Sequence, residues 1–247
     1  MKRLVFSFPL CLLLVASAFG QYVTAGFNKG GGVVSVAVDH SGGGATSSQV
    51  ASLTWTQTVS ASANFMLMSI TTGNGNAIST LTVNGSSTNV TAVTSQADGN
   101  GSTLTSLYAM TSPPSGTVTM VATPTTTDLI TATSMSFTGT NGTYATAVKA
   151  SGKNTTGQPT ASAVSVPAND LVVSTVGADL SGLFSTYTFT AGGSQTSQVQ
   201  QGGSGSNDGG NVMGTLASTG TVVMSWTIAT GATPWFWSEI VVDVHHQ

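Results

Sequence analysis

Apolar residues in this chain come in short bursts of strand length, and many alternate with polar ones. In Leu53-Thr54-Trp55-Thr56-Gln57-Thr58-Val59, Leu53, Trp55 and Val59 fall on one side and three threonines on the other. Val118 and Met120 alternate with Thr117 and Thr119. Leu129, Thr131, Thr133, Met135 and Phe137 share one face, and Val222, Met224 and Trp226 share another. A period of two with β-branched and aromatic enrichment marks a half-buried strand. Val34 to Val38 reads as an early strand. Phe65-Met66-Leu67-Met68-Ser69-Ile70 and Leu171-Val172-Val173 are apolar at successive positions and read as central strands.

Turn chemistry separates the bursts. Gly73-Asn74-Gly75-Asn76, Asn84-Gly85, Asp98-Gly99-Asn100-Gly101, Pro113-Pro114-Ser115-Gly116 and Asn141-Gly142 supply positive-φ or proline corners. No window of helical period survives between them. Ser41–Ser48 and Gly192–Gly210, rich in Gly, Ser, Gln and Asn, are expected to be long loops. No fixed-period repeat is visible. The pattern predicts an all-β protein: an antiparallel β-sandwich, jelly-roll-like, forming a single domain over residues 21–247.

The N-terminus changes the setting. Met1-Lys2-Arg3, an apolar run from Leu4 to Val15 and the small residues Ala16-Ser17-Ala18-Phe19-Gly20 have the layout of a secretory signal peptide over residues 1–20. Cleavage is expected between Ala18 and Gly20. The apolar run is too short to span a bilayer, which needs about 20 residues. A secreted, extracellular or cell-surface protein with no membrane insertion follows. Cleavage removes Cys11, the one cysteine, so disulfides and thiolate metal sites are excluded. It leaves three basic residues (Lys29, Lys149, Lys153) against eight acidic ones, a net charge of −5. So few cations cannot neutralise a phosphate backbone, so no nucleic-acid partner is expected.

Several segments occur in the order found in bacterial extracellular modules. They are Ser52–Val59, Asn64–Ile70, Leu81–Gly85, Ser106–Met110 running into Pro113–Thr119, Met135–Gly139, Asp170–Val173 and a Trp-led final strand. On these core and turn residues the chain resembles uncharacterised β-sandwich modules of bacterial cell-surface and secreted proteins. The resemblance implies a fold and an extracellular setting, and transfers no site residue.

Candidate chemistry is sparse. On the last strand Trp235, Trp237, Glu239, Val241 and Asp243 share one face, while Phe236, Ile240, Val242 and Val244, the expected core, share the other. Trp235, Trp237 and Glu239, with Tyr187, are the candidate ligand-binding set: aromatic faces beside an acid suit a sugar. The plainer reading packs the tryptophans under a loop or sheet edge. Glu239 with another acid is the candidate pair for a glycosidase, which needs two carboxylates about 5–10 Å apart. The other acids sit beside turns or strand starts, where Asp serves local hydrogen bonding. A metal would pair His245 or His246 with an acid such as Asp243, but adjacent strand residues face opposite ways, so no metal site is assigned. No cofactor is expected beyond the option of loop-bound calcium at Asp98, Asn100 or Asp208. Gly203-Ser204-Gly205 is loop rather than a nucleophile motif. Asn84, Asn89, Asn100, Asn141 and Asn154 open glycosylation sequons. The Thr54-x-Thr56-x-Thr58, Thr117-x-Thr119 and Thr131-x-Thr133 runs resemble the flat faces of ice-binding surfaces, although strand propensity accounts for them.

The expected function is that of a secreted non-catalytic sandwich in cell-surface or matrix adhesion or assembly, with polysaccharide or copies of itself as partners. The alternatives are a carbohydrate-binding module with an aromatic platform and a jelly-roll polysaccharide-degrading enzyme.

Overall fold

In the computed structural model, residues 33–145, 147–153, 158–180, 188–202, 209–229 and 235–247 are described. The signal segment 1–20, Tyr187, Asp208, the Asn154 sequon and Gly203-Ser204-Gly205 lie outside them, as does the side chain of Trp235. Residues Val34–Gln247 form one compact unit, and every named strand pair within it is antiparallel.

The first eight strands are β1 (Ala37–Ala45), β2 (Leu53–Val59), β3 (Phe65–Thr72), β4 (Ile78–Val83), β5 (Val90–Ala97), β6 (Leu104–Thr111), β7 (Gly116–Pro124) and β8 (Ile130–Thr138). They build a five-stranded inner sheet, β1-β8-β3-β6-β5, and a three-stranded outer sheet, β2-β7-β4. Strand alternation decides the packing. Leu53, Trp55, Val59, Val118 and Met120 of the outer sheet meet Met66, Met68, Ile70, Ile130 and Ala132 of the inner one. The opposite face of the inner sheet, with Phe65, Leu67, Leu107, Met135 and Phe137, is also buried. β3 is therefore covered on both sides, as its unbroken apolar run predicts.

The remaining strands repeat that plan. They are β9 (Thr140–Tyr144), β10 (Val148–Lys153), β11 (Val164–Val166), β12 (Leu171–Leu180), β13 (Thr188–Ala191), β14 (Thr196–Gly202), β15 (Gly209–Leu216), β16 (Gly220–Val222), β17 (Trp226–Ala229) and β18 (Trp235–His246). A second inner sheet runs β10-β18-β12-β15-β14, with β9 also on β18. Two small outer pairs, β11-β16 and β13-β17, cover it. Taking β9 and β10 together as the counterpart of β1, and β16 and β17 as an interrupted counterpart of β7, both halves share one strand order. The register agrees: Phe65 pairs with Phe137 as Leu171 pairs with Val244. Gly116-Thr117-Val118 opens β7 as Gly220-Thr221-Val222 opens β16, with the glycines at φ 94° and 84°.

The two inner sheets pack through equivalent faces. Leu171, Val173, Met213, Ile240, Val242 and Val244 meet the phenylalanine-rich face of the first sheet. Beside this apolar patch lies a buried hydroxyl cluster. Thr175 Oγ1 donates to Ser69 Oγ (2.6 Å), and these two residues occupy the same position in their halves. Asn211 Nδ2 donates to Ser69 and Thr71, and Thr133 donates to Asn211 Oδ1. Thr105 and Ser238 hydroxyls lie 2.7 Å apart. Self-complementary contact of like faces is the geometry of a twofold dimer interface, here within one chain.

Both expected long loops contain strands. Gly42-Gly43-Gly44 lies in β1, squeezed between β2 and β14. A Cβ on Gly42 would stand 2.7 Å from Thr56 O, and one on Gly43 2.5 Å from Gln201 Cγ. The glycines admit close approach of neighbouring strands and are no sign of a loop. Thr196–Gly202 is β14, a sheet-edge strand whose polar, largely exposed side chains hide it from a hydrophobicity-based reading. The early strand begins at Ala37, after Val34-Ser35-Val36. No helix among the described residues is long and apolar enough to cross a membrane.

Candidate functional site: an acid and histidine cluster at one end of β18

Strand β18 alternates as its sequence predicts, but its second face is not open. Ile240, Val242 and Val244 point at the first inner sheet. Trp237, expected on an outer platform, is only 5 % exposed and packs with Val176, Val212, Phe189, Trp226 and Ile228. Val241 is buried with Val164, Val166, Val172 and Val222. The two small outer sheets cover this face, which a pattern within β18 alone cannot reveal. Among the described side chains, the aromatic platform beside Glu239 is therefore a closed core.

Glu239 lies in that core, fully buried. Ser174 Oγ donates to its Oε1 at 2.7 Å, and Trp226 Nε1 donates to the same serine oxygen at 3.0 Å. Oε2 has no partner. Burial pushes the carboxyl up to about 8, against the partial relief of the Ser174 bond, so it is held as a neutral acid. Asp243, the next acid on this face, is four residues away, about 13 Å along a strand. That exceeds the span of a glycosidase pair.

Asp243 itself belongs to a different constellation. Asp170 stands immediately before β12, and β12 pairs with β18 so that Leu171 faces Val244. This pairing brings Asp170 against the end of β18. His245 Nδ1 donates to Asp170 Oδ2 (2.9 Å), and His246 donates to Asp170 Oδ1 through its backbone N–H (2.8 Å) and its ring Nδ1 (2.5 Å). Burial pushes the Asp170 carboxyl up, but these donors outweigh it and hold the group below the usual range. Asp243 Oδ2 is 3.8 Å from His245 Nδ1. One ligand atom each from Asp170, Asp243 and His245 lie within 4.8 Å of one another. Asp243 is 1 % exposed, and neither of its carboxyl oxygens has a hydrogen-bond partner. Burial first, and then the Asp170 charge, push it up to about 6. A surface cavity of about 380 Å³, lined by Ser35, Val36, Asn169, Asp170, Ala217, Ser218 and Thr219, borders the cluster.

The first half provides an internal comparison. By register, Asn64, Ser136 and Thr138 hold the places of Asp170, Asp243 and His245. There the serine is bonded on both sides: Ser136 Oγ donates to Asp39 Oδ2 and accepts from Gln57 Nε2, and Asn64 Nδ2 donates to Thr140 O although its Oδ1 has no partner. Asp39 also accepts from Ser60 N and lies 3.1 Å from His40 Nδ1. Burial opposes its ionisation, and these bonds reverse the shift and lower it. Among the described residues, a buried carboxyl with no hydrogen-bond partner on an oxygen occurs only in the second half, at Glu239 and Asp243.

Other acids serve turns. Asp98 accepts from Asn100 N, Ser102 N and Ser102 Oγ, so calcium there would compete with three donors of its own loop. Asp128 accepts from Asn74 and Asn76 and ties the Gly73–Asn76 turn to β8. The threonine runs divide. Thr54, Thr56 and Thr58 of β2 stand opposite Val121, Thr119 and Thr117 of β7 on one outer face. Thr131 and Thr133 are buried.

The sequence singled out Asp243, His245 and His246 as a conceivable ligand group, but not Asp170, their organiser. The signal was Asn169-Asp170 ahead of an apolar strand, which is meaningless until β12 and β18 are known to be neighbours. No protein-family model matches the chain, and neither a curated protein nor a solved structure is significantly similar to it.

Proposed function

We propose that this chain is an exported, non-catalytic protein that assembles with copies of itself at the cell surface or in the extracellular matrix. The outer face of β2-β7-β4 carries the proposal. Its side chains are threonines with Val121, in cross-strand rows, and none of its three strands contains a charged residue. Paired threonines offer methyl groups and hydroxyls together. Two such faces can meet without stripping water from a charge, the costly step in most associations. The buried state of Trp237 and Glu239 removes the features that favoured sugar binding and hydrolysis among the described residues. The signal-like leader and the resemblance of the strand sequences to bacterial extracellular modules support the setting.

Sedimentation of the secreted chain over a range of concentrations tests this reading. Mass should rise with concentration, and Thr56→Lys alone should return it to the monomer, because association would have to strip water from its ammonium group. A wild type that stays monomeric while retained on insoluble polysaccharide would replace assembly with glycan binding.

A further inference from the structure

We infer that Asp170, Asp243 and His245 form a site for a divalent transition-metal ion of the zinc type. Two carboxylate oxygens and one imidazole nitrogen supply three ligands, and the last position is left to water from the neighbouring surface cavity.

Three observations converge. The first is donor geometry. An ion about 2.0–2.2 Å from each ligand in tetrahedral array keeps the ligand atoms about 3.4 Å apart. The His245 Nδ1 separations from Asp170 Oδ2 and Asp243 Oδ2 are 2.9 and 3.8 Å, either side of that value. Shifts of about half an ångström bring these two pairs to it, and the Asp170 and Asp243 oxygens lie within 4.8 Å of each other. The second is Asp243, 1 % exposed with both carboxyl oxygens unpartnered. A buried carboxylate beside a second carboxylate is costly unless a cation lies between them. The third is the internal comparison. Ser136 in this place is hydrogen-bonded to Asp39 and Gln57, whereas Asp243 in the other half has no hydrogen-bond donor on either carboxyl oxygen.

The ligand set selects the ion. Calcium prefers six to eight oxygens, and magnesium keeps most of its water in an octahedral shell. One imidazole with two carboxylates in a compact, half-covered place suits zinc and its first-row neighbours. In the metal-free chain His245 uses Nδ1–H to bond Asp170. On binding, that proton leaves and Nδ1 turns its lone pair to the metal. His246 remains bonded to Asp170 Oδ1 and fixes the carboxylate from behind, as supporting partners of metal ligands do.

The ion would pin the end of β18 to the start of β12 and so lock the second inner sheet. Zinc alone, titrated calorimetrically into the untagged, chelator-stripped full chain, tests the site. One ion per chain is expected with micromolar or better affinity. At a hundredfold excess over Kd, Tm should rise by roughly 5 °C or more. Asp243→Asn keeps the shape and both histidines, and should weaken zinc at least a hundredfold while the protein stays folded. His245→Ala, at a part-exposed position, provides the same test if the asparagine variant does not fold. Absence of zinc uptake at 0.1 mM (on the order of a hundred times a micromolar Kd) overturns the inference. So does equal binding by Asp243→Asn, which would leave only a surface histidine pair, or preferential uptake of calcium.

Discussion

Glu239 shows how one side chain can make a whole molecule sensitive to pH. Its folded carboxyl titrates near 8 because it is buried, against 4.5 in an open chain. Between those values the folded state holds a proton that the unfolded state has released. Stability is therefore fully present below pH 4.5 and falls as pH rises toward 8, by at most about 1.4 kcal/mol per pH unit. Denaturant melts at pH 5, 7 and 9 should show this decline. Glu239→Gln, which keeps shape and neutrality, should flatten it and be the more stable form at pH 9. A decline of the same slope in Glu239→Gln would assign it to another group. The sequence marked Glu239 as unusual, an acid on an apolar strand, but assigned it to solvent. Its burial comes from β11, β13, β16 and β17, short strands with little local signal of their own.

Among the elements, alternation sufficed where one face was apolar and the other polar. β2 was read to the residue, and the two-sided apolar runs correctly marked β3 and β12 as central strands of their sheets. It failed where neighbours rather than solvent dictated composition. β1 is rich in glycine because two strands crowd it, and β14 is polar because it closes a sheet edge. Gly177 on β12 shows the same constraint inside the interface. A Cβ there would lie 2.0 Å from Thr105 Oγ1 and 2.3 Å from Thr71 Oγ1, both members of the buried hydroxyl cluster. Gly177→Ala should cost about 1–3 kcal/mol through overpacking. The loss should shrink in a Thr71→Ala/Thr105→Ala background, and a double-mutant cycle measures the coupling. If the cost is unchanged there, the crowding is not with these hydroxyls.

At the scale of the molecule, two sandwiches of one strand order share a central core. Each inner sheet has one face that only the other sheet covers, so neither half has a complete core alone. Heat should therefore unfold residues 34–247 in a single transition, with calorimetric and van't Hoff enthalpies equal. Two resolved transitions would mean that the central interface is weak. The duplication could not be seen along the chain because a sheet position asks only for a side chain of suitable size and polarity. Phe65 and Leu171, or Met135 and Val242, satisfy the same place without resembling each other as letters. What betrayed it was the hydrogen-bond register, which counts positions and ignores identities.

The contact of Thr175 with Ser69 carries a consequence for how chemistry can arise in such a molecule. In a dimer of two identical chains every substitution is made twice, so a new charge near the axis must be tolerated at both of its images. Linking the halves in one chain lifts that condition. A serine can stay at one image, fully bonded, while an aspartate stands at the other. Ser136 and Asp243 are such a pair, and their difference gives a nearly symmetric body one chemically distinct end.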